Sequence, residues 1–182
     1  RATAAHEIEQ ARPKSLNDAL KAHNMLLVKQ FYREEKAAST FDIRNSAFIA
    51  AKHGFTDAFV FFVSQGFDLK SIRKSDGFSL LHYSVMHNQI ASSQYLIDQG
   101  LDVNDITPDG RSVFSMLANS SIEMLKLLEK SGAQYNPKFD SEIISHALTN
   151  ENYSLASIFS ERGYLFDKTH YFNAEFVVLN VI

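Results

Sequence analysis

The sequence predicts an all-α fold: a linear solenoid of short helix–turn–helix units stacked side by side, with loops protruding between them. Three observations carry this expectation. Gly66, Gly100, Gly132 and Gly163 recur at separations of 34, 32 and 31 residues. A bulky apolar residue lies four positions before each (Phe62, Leu96, Leu128, Phe159) and another three positions after (Leu69, Val103, Tyr135, Phe166). Asp76-Gly77 and Asp109-Gly110 form a second marker, repeated at a spacing of 33. A period of this length signals stacked units, none of which buries its apolar face alone.

Each element follows from local chemistry. Residues 1–14 are polar and alanine-rich, with no apolar run of signal-peptide length. Residues 16–23 and 25–33 read as a helix pair broken at Asn24, within a segment spanning 15–40. Leu16, Leu20, Leu27, Val28 and Phe31 would close the end of the stack there, as a cap or as a degenerate repeat. Full units are expected at 41–74, 75–107, 108–139 and 140–167. The second of these explains the period. Asp76-Gly77 makes a turn, Ser79 caps a helix over Leu80–Met86, and Asn88 tolerates the positive φ where the chain reverses. Residues 90–99 form the second helix, with Tyr95, Leu96 and Ile97 as its buried side, and Gly100 ends it as a left-handed cap. Asp102, Asn104, Thr107, Pro108 and Asp109 then lead through a hairpin-like loop to the next unit. In the third unit Met124, Leu125, Leu127 and Leu128 keep helical spacing. Residues 168–182 either cap the stack or begin another unit. The apolar run 176–182 either tucks into the core or continues into a further segment, and it would offer a surface for homo-oligomerisation of an otherwise monomeric chain.

These units resemble the ankyrin repeat, whose consensus runs G-x-T-P-L-H-x-A, a glycine reversal, a second helix and G-A-D-V-N. The best match is Gly77-Phe78-Ser79-Leu80-Leu81-His82-Tyr83-Ser84 together with Gly100-Leu101-Asp102-Val103-Asn104. Ala50-Ala51-Lys52-His53-Gly54-Phe55 keeps the small residues and the reversal glycine. The third unit reads Gly110-Arg111-Ser112-Val113-Phe114-Ser115 and ends Gly132-Ala133-Gln134-Tyr135-Asn136. The fourth lacks the leading glycine and has Glu151 where the reversal glycine is expected. None of the four has the proline of T-P-L-H. The resemblance covers about residues 41–167. It implies a non-catalytic protein–protein interaction module that presents a rigid concave surface, without a cofactor. Degenerate, phenylalanine-rich repeats without that proline look like divergent bacterial ankyrin proteins, including host-directed effectors and toxin-neutralising proteins. Such a protein works in the cytoplasm of its own cell or is delivered into a host cell. The alternative is the targeting or substrate-recognition region of a longer enzyme.

Composition excludes other classes. With no cysteine there is no disulfide framework and no cysteine-ligated metal. A net charge of −3 argues against a dedicated nucleic-acid binder. No run approaches the roughly 18–20 apolar residues of a membrane span. The sequence has no H-E-x-x-H, G-x-S-x-G, Walker A or G-x-G-x-x-G motif, so no catalytic residue is assigned. Among the seven histidines, His82 stands at the T-P-L-H position, where the resemblance implies a structural tie between loop and helix. His53 and His87 hold equivalent places before successive reversals, and are read as groove-facing polar residues in preference to a pair of metal ligands.

By the same resemblance, the positions that would meet a partner are Arg44, Lys52 and His53 in the first unit. In the second they are Ser75, Asp76, Phe78, Met86 and His87. In the third they are Pro108, Asp109, Arg111, Asn119 and Ser120, and in the fourth Phe139, Thr149 and Asn150. Phe78 and Phe139 are expected on wet loops, where exposed aromatics concentrate binding energy, unless they fold back onto the stack. Lys70, Arg73 and Lys74 make one loop positive, while Asp102, Asp105 and Asp109 make the next acidic. That gradient suggests a protein partner of mixed charge.

Overall fold

The computed structural model describes residues 13–164. Most of the polar segment 1–14, Phe166 and all of 168–182 with its apolar end lie outside the described residues. Among the described residues ten α-helices follow in order: α1 (Leu16–Lys21), α2 (Met25–Ala37), α3 (Ile43–His53), α4 (Thr56–Ser64), α5 (Leu80–Met86), α6 (Ile90–Asp98), α7 (Ile122–Lys130), α8 (Pro137–Asp140), α9 (Ile143–Thr149) and α10 (Tyr153–Glu161). Two 3₁₀ segments, Leu69–Ser71 and Phe114–Asn119, complete the set. Among the described residues there is no named strand, only two isolated antiparallel bridges, Arg73 with Ser79 and Ile106 with Ser112.

The helices form two layers. In the inner layer α1 packs on α3, α3 on α5, α5 on the 3₁₀ segment 114–119, and that segment on α9. In the outer layer α2 packs on α4, α4 on α6 and α6 on α7. The inner helices are short and bury small residues such as Ala47, Ala50, Ala51, Ser84 and Ala147, which lets neighbouring backbones approach. The outer helices fill the space between the layers with Phe59, Phe62, Leu96, Leu125, Leu128 and Phe159, all fully buried. Of the side predicted for 90–99, Leu96 is buried whereas Tyr95 and Ile97 are only half-buried; Ser92 and Ser93 take the remaining core positions. Ser93 Oγ donates to Ser84 Oγ at 2.9 Å, satisfying both hydroxyls between the layers.

The repeat marker around each glycine is a helix terminator. Leu101 N–H donates to the Leu96 carbonyl (3.1 Å) and Gly100 N–H to that of Ile97 (2.8 Å), with Gly100 at φ 84°. This is the Schellman pattern. Phe67 onto Phe62, Ala133 onto Leu128 and Tyr164 onto Phe159 repeat it. The bulky residue four positions before each glycine is therefore the one whose carbonyl accepts this bond.

The reversals between inner and outer helices use left-handed residues at His23 (φ 52°), Gly54 (72°), Asn88 (54°) and Glu151 (58°). In the N-terminal pair the left-handed residue is thus His23; Asn24, the expected break, instead caps α2 by accepting from Leu27 N–H at 3.1 Å. Successive reversals are tied together by side chains. His23 Nε2 donates to the His53 carbonyl (2.7 Å) and Gln89 Nε2 to that of Lys52 (3.1 Å). Asn88 Oδ1 accepts from Ser121 N–H (3.0 Å), and Asn152 Nδ2 donates to the carbonyls of Ser120 (2.8 Å) and Ala118 (3.3 Å).

The third unit departs from the pattern. Its first helix is 3₁₀, not α, and its reversal has no left-handed residue. At about 2.0 Å rise per residue against 1.5 Å, six 3₁₀ residues cross the layer as far as about eight α-helical ones. Ser120 then sits extended at the reversal, its hydroxyl donating to the Val85 carbonyl of the preceding unit at 2.6 Å.

Candidate functional site

The two Asp-Gly markers form matching hairpin turns. In the first, Lys74 N–H donates to the Phe78 carbonyl (2.9 Å) and Gly77 N–H to that of Lys74 (3.0 Å). In the second, Thr107 N–H donates to Arg111 O (2.8 Å) and Gly110 N–H to Thr107 O (2.9 Å). The tips touch: a Cβ on Gly77, which has φ 91°, would stand 2.4 Å from Pro108 Cδ. Ser75, Asp76, Pro108 and Asp109 are exposed along these tips. Where a third tip was expected, Pro137–Asp140 makes one helical turn capped by Asn136, which accepts from Lys138 N–H at 3.0 Å. Phe139 is there half-buried, 3.4 Å from where a Gly110 Cβ would be.

Phe78 requires a correction. It is 3% exposed, not a wet loop aromatic. Its ring meets His82 and Tyr83 edge-on, and the Arg111 guanidinium from the next hairpin lies 4.1 Å from its centroid. Arg111 is held further by Asp109 (2.7 Å) and Asp76 (4.0 Å). The pair expected to grip a partner therefore joins two hairpins of this chain. Ser120 is also buried, for the hydrogen bond to Val85 described above. The charge gradient between the loops is partly consumed internally, because Arg73 Nη1 donates to Asp105 Oδ2 at 2.7 Å.

His82 has no exposed surface. Its Nδ1 accepts from Ser79 N–H (3.3 Å), and its Nε2 lies 3.2 Å from the Arg111 carbonyl, where the Nε2–H tautomer donates. It ties hairpin, helix and next hairpin together. Burial pulls its pKa below the ordinary histidine value, against the opposing pull of Asp105.

The inner helix ends carry the remaining predicted positions. Arg44, Lys52, Asn119, Thr149 and Asn150 are exposed, and His53, Met86 and His87 half-buried. Burial first, and then the Lys52 charge, lower the pKa of both His53 and His87, favouring neutral imidazoles. Among the described residues no group of three or more His, Asp or Glu side chains is close enough to hold a metal.

Between α3 and the first hairpin lies a cavity of about 340 Å³. Arg44 and Lys52 border it with Asp42, and Phe48, Ile49, Lys74 and Tyr83 line it. Lys74 Nζ sits 4.2 Å from the Tyr83 ring centroid and 5.2 Å from that of Phe48, and donates to the Tyr83 hydroxyl. Arg44 and Lys52 are also among the contact positions expected from the sequence. Phe48 and Tyr83 are not, because an aromatic inside a short helix reads as core; Phe48 is indeed 5% exposed while still forming the cavity wall.

Short paired helices in two layers, two hairpins and a helical turn projecting between units, and a row of polar helix ends define a repeat solenoid with a ribbon of open surface. Residues 16–106 and 47–139 match the family model described as ankyrin repeats (3 copies). The chain belongs to the ankyrin-repeat family. The first match begins at Leu16 and so takes in the N-terminal helix pair. Among solved structures, the crystal structure of the human ASB11 ankyrin repeat domain is similar, with a TM-score of 0.56 at 22% identity. The likeness covers 64% of this chain and 53% of that one, about half its length, and at this identity it concerns the fold. No curated protein sequence matches the chain significantly. Ankyrin repeats are generally protein–protein interaction modules and generally non-catalytic. No helix among the described residues is long and apolar enough to cross a membrane.

Proposed function

We propose that this chain is a non-catalytic interaction module that holds a protein partner against its inner face. The contacts are the inner helix ends (Arg44, Lys52, His53, Met86, His87, Asn119, Asn150) and the loop tips (Ser75, Asp76, Pro108, Asp109, with Arg111 and Phe139 at their margins). The observation that carries this reading is the open cavity between α3 and the first hairpin, bordered by exposed Arg44 and Lys52. Loops held on a rigid scaffold are where binding concentrates. In this reading the repeats divide at 41–74, 75–107, 108–139 and 140–167. The pair within 15–40 serves as a degenerate repeat, supported by the family match that begins inside it. The degenerate repeats without the T-P-L-H proline support a bacterial effector or toxin-neutralising role, in the producing cell's cytoplasm or in a host cell.

Capture from a lysate of the source organism tests the surface. Lys52→Ala combined with Asn119→Ala should abolish retention of a specific protein, whereas Lys126→Ala on the outer α7 should not. Equal retention by the first variant and the native chain would exclude the inner face.

A further inference from the structure

We infer that the cavity between α3 and the first hairpin receives an acidic segment of a protein partner. An apolar or aromatic side chain would sit on Phe48, Ile49 and Tyr83, with neighbouring carboxylates on Arg44, Lys52 and Lys74. The inference rests on the reading of the inner face as the partner surface and names the chemistry it selects.

Charge complementarity carries it. Arg44, Lys52 and Lys74 surround one cavity, and none has a carboxylate within ion-pair distance among the described residues. Asp42 is the one acid in the wall, and its Oδ1 is occupied in capping α3, accepting from Arg44 N–H (2.9 Å) and Asn45 N–H (3.2 Å). The next cations along the hairpins differ: Arg73 is paired with Asp105 and Arg111 with Asp109, each at 2.7 Å. On a chain of net charge −3, three cations against the single Asp42 carboxylate leave this cavity with a local positive field. Lys74 is held in place by two rings and the Tyr83 hydroxyl, so little side-chain freedom remains to be lost on binding.

The cavity's size and floor narrow the occupant. About 340 Å³ lies near the lower limit for small-molecule pockets, room for one anchoring side chain. The Phe48–Tyr83 pair meets at 4.8 Å edge-on and presents apolar surface that phosphate chains do not use. Three cations also fall short of the roughly 6–10 phosphate contacts of a typical duplex binder.

Random peptides displayed on phage and selected on the full chain test this. The expected result is enrichment of Asp or Glu beside Leu, Phe or Tyr. A fluorophore-labelled copy of a selected peptide should bind more weakly as salt rises. Arg44→Gln and Lys52→Gln should each weaken it about tenfold, the order of a lost charge-assisted hydrogen bond. Both residues are exposed, so the circular dichroism spectrum should stay unchanged. Enrichment of neutral or basic sequences overturns the inference. So does displacement of the labelled peptide by oligothymidylate or phosphatidylserine vesicles at equal charge concentration. Peptides sensitive to Asp109→Ala or Asn119→Ala but indifferent to Arg44→Gln and Lys52→Gln would overturn the acidic-segment inference and leave the inner-face reading standing. Peptides indifferent to every inner-face variant would overturn both.

Discussion

At the scale of single residues, burial divides the predicted contacts into two kinds. Phe78 and Ser120 are structural, while Arg44, Lys52 and Asn119 remain open. Phe78→Ala should therefore destabilise the fold by about 3–5 kcal/mol, as a large-to-small change in a closed site, measured by urea unfolding. Arg111→Ala should cost less, because its pairing with Asp109 is between side chains 41% and 56% exposed and such pairs are worth about 0–1 kcal/mol. Equal effects would mean that the guanidinium, not the ring, anchors the hairpin. Gly77 also shows why position matters more than residue type. Its φ of 91° and the nearness of Pro108 leave no room for a Cβ, so Gly77→Ala must strain one hairpin and push away the next.

At the scale of elements, much of the helix punctuation was legible before the fold. The glycine and the bulky residue four positions earlier predict a Schellman terminator because both partners lie within one turn. Glu151 was legible by register alone, since it takes the left-handed conformation where the first two units place Gly54 and Asn88. The 3₁₀ segment 114–119 was not legible. Its tightness depends on where Ser120 and Asn152 anchor the reversal, and those anchors join units 32 or more residues apart. Asn152→Ala removes the donor to two carbonyls and should cost about 1–3 kcal/mol. Amide exchange should quicken around residues 118–121 first; uniform quickening would mean that the bond does not govern that reversal.

At the scale of the whole molecule, stability is the sum of the units and their interfaces, and pH acts on those interfaces through histidine. His53, His82 and His87 all have pKa values pulled below 6.5, chiefly by burial. The unfolded chain then binds more protons than the folded one in slightly acidic solution. The stability is fully present above about pH 6.5 and is lost as the pH falls toward the lowered folded values. The urea midpoint should fall between about pH 7 and pH 5, and His82→Asn should lower it at neutral pH while shrinking the acid-dependent loss. A midpoint independent of pH in the native chain would contradict this. Binding of an acidic segment should be similarly salt-sensitive, because its cations lie at the solvent boundary.

The period, the helix ends and the exclusion of disulfide and cysteine-metal frameworks were determined by the sequence itself, because each is decided by contacts within a turn or by composition. The N-terminal pair was legible as helices and as a means of closing the stack. Its residues fit a cap and a degenerate repeat alike, and the family match over 16–106 takes the pair in. Tertiary structure alone decided which charges and rings are free. Arg73 finds Asp105 and Arg111 finds Phe78 only when hairpins about 32 residues apart are laid side by side. The same stacking brings Phe48 against Tyr83, gathers Arg44, Lys52 and Lys74 with no ion-paired carboxylate among the described residues, and so turns an ordinary helix surface into a cavity with a sign. Local chemistry sets the unit; the neighbour in the stack sets what the unit can hold.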